Sequence, residues 1–175
     1  MRPEHLAVAR IVSPADFMRA IFRGIEPMFG SMVYRRAAVD GREAAHGEFA
    51  TLVDRPFLLE ILARWSGAII REPLVWYGRH GDGDDRHLAM NTEHIFRLFS
   101  LYRATLPKRL SAEDRALFYA YSGYWLFTLY RLVPPADRTP LRPFVFRAWR
   151  HGLYNPRWSA GYGRKRLIAL MLTGR

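Results

Sequence analysis

Apolar residues recur at helical spacing along most of the chain. Phe17, Met18, Ile21 and Phe22 form one such stripe, opened by Ser13-Pro14-Ala15-Asp16 and closed by Gly24. Serine caps, proline suits the first turn, Asp16 takes the place of a capping-box acid, and glycine stops the helix. Phe57, Leu58, Ile61 and Leu62 mark a second helix over 54–65, with Asp54 as its N-cap candidate and Pro56 in its first turn. Between them, Met32-Val33-Tyr34 reads as a short strand, and residues 38–50 as an exposed loop or short helix that includes His46. Ser66-Gly67 ends the second helix. Ala68-Ile69-Ile70 then reads as a buried strand, Arg71-Glu72-Pro73 interrupts, and Leu74–Tyr77 continues as a second extended segment. Gly78 to Asp85 is a polar, glycine-rich loop.

Helices fill the rest. Leu88, Ile95, Leu98, Phe99 and Tyr102 share one side of a helix over 86–104. Ser111-Ala112-Glu113-Asp114 is a capping signal for a helix over 112–132 that Pro134-Pro135 terminates. Its aromatics, Phe118, Tyr121 and Trp125 on one side with Tyr119, Phe127 and Tyr130 on another, require more than one covered face. That places the helix among others or at a lipid interface. A basic helix runs from Thr139-Pro140 to Arg150 and closes at Gly152; Asn155-Pro156 is a turn; a last helix enters through Arg164-Lys165-Arg166. The fold class is therefore mainly α with a few short β-strands (α+β). An N-terminal segment, 1–85, leads into a basic, aromatic-rich helical extension, 86–175, the two forming one compact unit.

Charge sharpens this division. The chain of 175 residues carries +11. Residues 115–175 hold eleven Lys/Arg and one acid, Asp137, a balance of +10. Such asymmetry suits an anionic partner, either membrane lipid, a phosphate-bearing substrate or nucleic acid, or else is a solvated basic face. There is no cysteine, which excludes disulfides and thiolate metal sites and is compatible with a reducing cytoplasm. No run of about 18 apolar residues exists to span a bilayer, and the N-terminal stretch lacks the apolar core of a signal peptide. These features lead to the expectation of a cytoplasmic chain, peripheral on the inner membrane face.

Candidate chemistry is sparse. His80 with Asp82, Asp84 and Asp85 is the densest polar cluster; it reads as a divalent-ion site or as a solvated loop capping the next helix. His87 and His94 lie one heptad apart without a third ligand, so they read as polar-face residues. Asp54 reads as a helix cap or, if it lines a cleft, as a general base.

Three stretches taken together resemble the second half of family 2 glycosyltransferases of the GT-A fold. They are Gly30-Ser31-Met32-Val33-Tyr34-Arg35-Arg36, Asp54 with Phe57-Leu58-Leu59, and Gly67-Ala68-Ile69-Ile70-Arg71-Glu72-Pro73-Leu74-Val75-Trp76-Tyr77-Gly78-Arg79-His80. Val53 stands where the family commonly has a polar or acidic residue, and the arginine of the last motif is displaced by one. The resemblance implies a partial GT-A-like strand-helix core followed by a variable helical extension. It implies Asp54 as the base that deprotonates an acceptor hydroxyl, and Gly30, Ser31 and Arg79 as substrate contacts. It implies His80 as a contact to a divalent metal (Mn or Mg) or to the donor diphosphate. The family's N-terminal nucleotide-sugar half, with its Asp-x-Asp, is not read before Asp54. The expectation is thus a truncated or split enzyme that moves a sugar from a nucleotide sugar to a glycan or lipid-linked acceptor, with a partner chain supplying the donor-binding half. The alternative is a non-catalytic basic helical module that binds anionic membrane lipid, a protein partner or, ranked lower for want of a motif, nucleic acid.

Overall fold

The computed structural model describes residues 8–11, 13–25, 32–41, 49, 53–70, 92–134, 138, 141–158 and 163–173. Helices dominate these residues, as the periodicity predicts, and two short strands accompany them. The elements, in chain order, are β1 (Val8–Ile11), α1 (Pro14–Phe22), α2 (Arg36–Val39), α3 (Asp54–Leu62), β2 (Gly67–Ile70), α4 (Thr92–Thr105), α5 (Ala112–Leu132), α6 (Leu141–Arg150) and α7 (Gly163–Thr173).

Local chemistry sets several boundaries. Ser13 caps α1: its Oγ accepts the Asp16 backbone N–H at 3.1 Å and donates to the Asp16 carboxylate at 2.8 Å. At the other end Gly24, with φ of 88°, donates to Ile21 O, and Ile25 N–H reaches back to Ala20 O. This is the paired closure that a left-handed residue permits. Gly152, with φ of 66°, ends α6 in the same way through Trp149 O, while Leu153 N–H bonds Ala148 O. Ser111 Oγ caps α5 by accepting the Asp114 N–H at 3.0 Å.

The β-structure differs from the sequence expectation. β2 lies where it was expected but is not a buried strand: Ala68 and Ile70 are exposed, because its sheet, two-stranded among the described residues, leaves one face to water. Its partner is β1, antiparallel, with Val8 opposite Ile70 and Ile11 opposite Gly67. Residues 32–35, read as a strand, are irregular, and Val33 is 99% exposed. Met32 and Tyr34 pack partly against the core, but an apolar triplet without a ladder among the described residues does not form a strand. Leu74–Tyr77, the second extended segment of the sequence reading, lies outside the described residues.

One apolar cluster runs from Ile11 of β1 through α1, α3, α4, α5 and α6 to Leu167 and Leu170 of α7. α5 is covered by α1 on one side and α7 on another, which answers its need for two faces. Phe118, Leu126 and Leu129 are almost wholly buried, while Tyr124 stays exposed. A smaller cluster of Ala38, Phe57 and Ile61, flanked by Tyr34 and Val39, joins α2 to α3.

Candidate functional site

Asp54 is the first residue of α3. Val53, whose backbone is already helical (φ −57°, ψ −25°), occupies the cap position and makes no side-chain cap bond. Asp54 is therefore not the N-cap expected from sequence. A capping carboxylate needs an extended backbone at its own residue, whereas Asp54 lies within the helix. Its carboxylate retains the electrostatic advantage of a helix N-terminus.

The neighbourhood of Asp54 is formed by two separate stretches. Arg55 Nε stands 3.5 Å from Asp54 Oδ2, with the two side chains 13% and 16% exposed. Tyr34, from the irregular segment before α2, meets the ring of Phe57 edge-on at 5.8 Å. Burial, and secondarily the negative charge of Asp54, raise the Tyr34 phenol above its ordinary value. The Tyr34 hydroxyl donates to Met32 Sδ at 3.0 Å. Arg35 lies over the Trp65 ring, 5.9 Å from its centroid, just past the end of α3. Residues 32–35 thus lie along α3, and the described parts of two motif stretches come together. Sequence reasoning singled out Asp54 and included Tyr34 in a motif, but missed Arg55, for which the adjacent Asp-Arg pair was the available signal.

Gly30, Ser31, Arg79 and His80 lie outside the described residues, as do His46, His87 and the acids Asp82, Asp84 and Asp85. Among the described residues no group of three or more His, Cys, Asp or Glu gathers as a metal donor set. Asp54 has a guanidinium at its side where a divalent ion would need further anions. Asp54 therefore does not itself offer a metal-holding arrangement. What it offers is a largely buried carboxylate at a helix start, able to take a proton from a hydroxyl that comes within hydrogen-bond reach, about 2.6–3.2 Å.

A second polar locus lies between α4 and α6. A shallow depression of about 540 Å³ is bordered by Phe49, Glu93, Phe96, Arg97, Ser100 and Arg147. Glu93 accepts from Arg147 Nη1 at 2.6 Å and from Arg97 Nε at 3.4 Å. These bonds, Arg147 first, hold the Glu93 carboxyl below its usual range. Arg147 also stacks 3.7 Å over the Phe96 ring. Both cations are bound to the same acid, so this depression is an internal brace between helices and not an anion receptor.

Among the described residues no helix is long and apolar enough to cross a membrane. No protein-family model, curated protein or solved structure matches the chain.

Proposed function

We propose that the chain is the acceptor-side portion of a family 2-like glycosyltransferase, acting with a nucleotide-sugar-binding half outside these 175 residues. The reaction would pass a sugar from a nucleotide donor to a glycan or lipid-linked acceptor. One observation supports this reading more than any other. Tyr34 and Arg35, from the arginine-bearing motif, lie along α3, the helix that starts with Asp54 and runs toward β2. The resemblance links these stretches in order, and the packing of Tyr34 on Phe57, within range of the Asp54 charge, is consistent with that order.

In this reading Asp54 accepts the proton of the acceptor hydroxyl as that oxygen attacks the anomeric carbon, and the bond from that carbon to the donor diphosphate breaks, releasing the nucleotide. Arg55 places a positive charge 3.5 Å from the carboxylate. Tyr34, its phenol kept neutral by burial, lines the same wall. Gly30, Ser31 and Arg79 would contact substrate. A divalent ion, held by His80 together with residues of the donor half, would supply charge neutralisation at the diphosphate.

The test is transfer of radiolabelled sugar from a panel of nucleotide sugars to glycan and lipid acceptors. Mn or Mg would be present, and a donor-binding half would be added in trans. Asp54→Asn should reduce turnover about 10²–10⁴-fold, the usual contribution of a positioned base, while leaving the circular dichroism spectrum unchanged. Full turnover in that variant would remove Asp54 from the mechanism. Failure of every donor to react or bind, with every half supplied, would remove the transferase reading itself.

A further inference from the structure

α6 has two chemically different faces. Leu141, Phe144, Val145 and Ala148 are buried against the core. Arg142, Phe146, Trp149 and Arg150 are exposed, and helical spacing sets them along one outward stripe. Phe146 and Trp149 leave 43% and 44% of their surface in water. Their rings sit 5.5 Å apart, tilted by 57°. α6 contains no acidic residue; among the described residues the acid that reaches it is Glu93, which engages Arg147 on its flank. Arg142 Nε donates to Met171 O at 3.2 Å, so the start of α6 meets the end of α7. There Leu172 is exposed, and α7 also presents Lys165 and Arg166 to solvent. No acidic side chain among the described residues pairs with Arg142, Arg150, Lys165 or Arg166.

Three occupants suit exposed aromatics among cations, and the geometry separates them. Nucleic-acid bases stack on accessible ring planes, but these two rings are tilted against one another and do not form a parallel platform. A second copy would bring this face against itself in the commonest symmetric arrangement and would oppose arginine with arginine. A bilayer interface accepts both features at once. Aromatic rings settle at headgroup level, and arginine stems lie along the apolar boundary with their guanidiniums on phosphate.

We propose that the outward face of α6, extended by the exposed positions of α7, docks the chain on a bilayer containing anionic lipid. Phe146 and Trp149 enter the headgroup layer, and Arg142 and Arg150 engage lipid phosphates. This proposal does not depend on the transferase reading.

The experiment is flotation of the full chain with phosphatidylcholine vesicles, with and without phosphatidylglycerol, at two salt concentrations. Binding is expected only to the anionic vesicles and should weaken with salt. Arg150→Glu should lower vesicle affinity at least about five-fold, the worth of one surface cation near such a membrane. Phe146→Ser with Trp149→Ser should lower it roughly ten-fold or more through lost apolar burial. Arg36→Glu, the same charge change on the exposed surface of α2, serves as the matched control and should have a smaller effect. Arg150 and Arg36 are both exposed, so these two variants remain informative should the aromatic pair misfold. Equal binding to neutral vesicles, or equal loss from Arg150→Glu and Arg36→Glu, would overturn the assignment. So would a nucleic acid that outcompetes the vesicles, or a dimer in sedimentation that the α6 substitutions dissociate.

Discussion

Asp114 is the residue on which the N-terminal helix is anchored. It is buried at the first turn of α5. Arg19 grips it with two bonds, Nε to Oδ1 at 2.7 Å and Nη2 to Oδ2 at 3.1 Å. The Arg19 hydrogen bond is the main cause that lowers the Asp114 carboxyl below its usual value, against the opposing effect of burial. Arg19 is about one-third exposed, which screens part of the attraction. Asp114→Asn should therefore cost about 2 kcal/mol, less than for a fully buried pair. The sign with pH follows from the lowered folded value. The stabilisation is full above the ordinary aspartate range and is lost as pH falls through the folded value. Urea unfolding of both proteins should accordingly show a stability gap at neutral pH that closes in acid. A gap independent of pH would mean that the loss is one of shape and not of charge.

Elements were legible from sequence where a local signal fixed their ends. Ser111 and the prolines after Val133 bounded α5 in the sequence reading, and the helix runs from Ala112 to Leu132. Gly24 and Gly152 were read as stops, and both have positive φ. At Gly152 a Cβ would meet nothing within 4 Å, so Gly152→Ala tests backbone conformation alone. It should cost about 1–2 kcal/mol, the penalty of the left-handed region for an L-residue, measured as a shift in the urea midpoint at unchanged slope. Where the determinant was non-local, the sequence was silent. Ile69 and Ile70 announced β2, but nothing in Val8–Ile11 announced that it was the partner, since three apolar residues interrupted by Arg10 have the same appearance in a loop. Met32–Tyr34 had β-forming residues without a neighbouring ladder and stayed irregular. The candidate site follows the same division. Asp54 was visible as an acid at a helix start, and its contact with Arg55 is local to the first turn of α3, whereas its influence on Tyr34 depends on how the segment before α2 folds onto α3.

At the scale of the whole molecule, α1 determines whether the candidate site and the basic helices are one folding unit. Phe22 at its end meets Tyr102 of α4 at 6.0 Å and Phe118 and Tyr121 of α5 at 5.6 and 5.2 Å. α1 also packs on α3, the helix of Asp54, and on β1. A single apolar cluster consequently joins the Asp54 helix to α7. Removal of the Phe22 ring strips contacts from α4 and α5 at once, and a buried Phe→Ala change costs about 3–5 kcal/mol. With one shared core, that loss cannot be confined to one end of the chain. Phe22→Ala should lower the urea midpoint as followed by the fluorescence of Trp65, beside α3, and of Trp125, in α5, by the same amount, with each tryptophan retained singly in turn. Coincident transitions would show that the wall carrying Asp54 is stabilised by the basic helices, so that trimming those helices would abolish any chemistry at Asp54 through unfolding. Separate midpoints, with only the α5 probe displaced, would instead divide the chain into two units and leave the Asp54 wall able to stand without the helices that follow it.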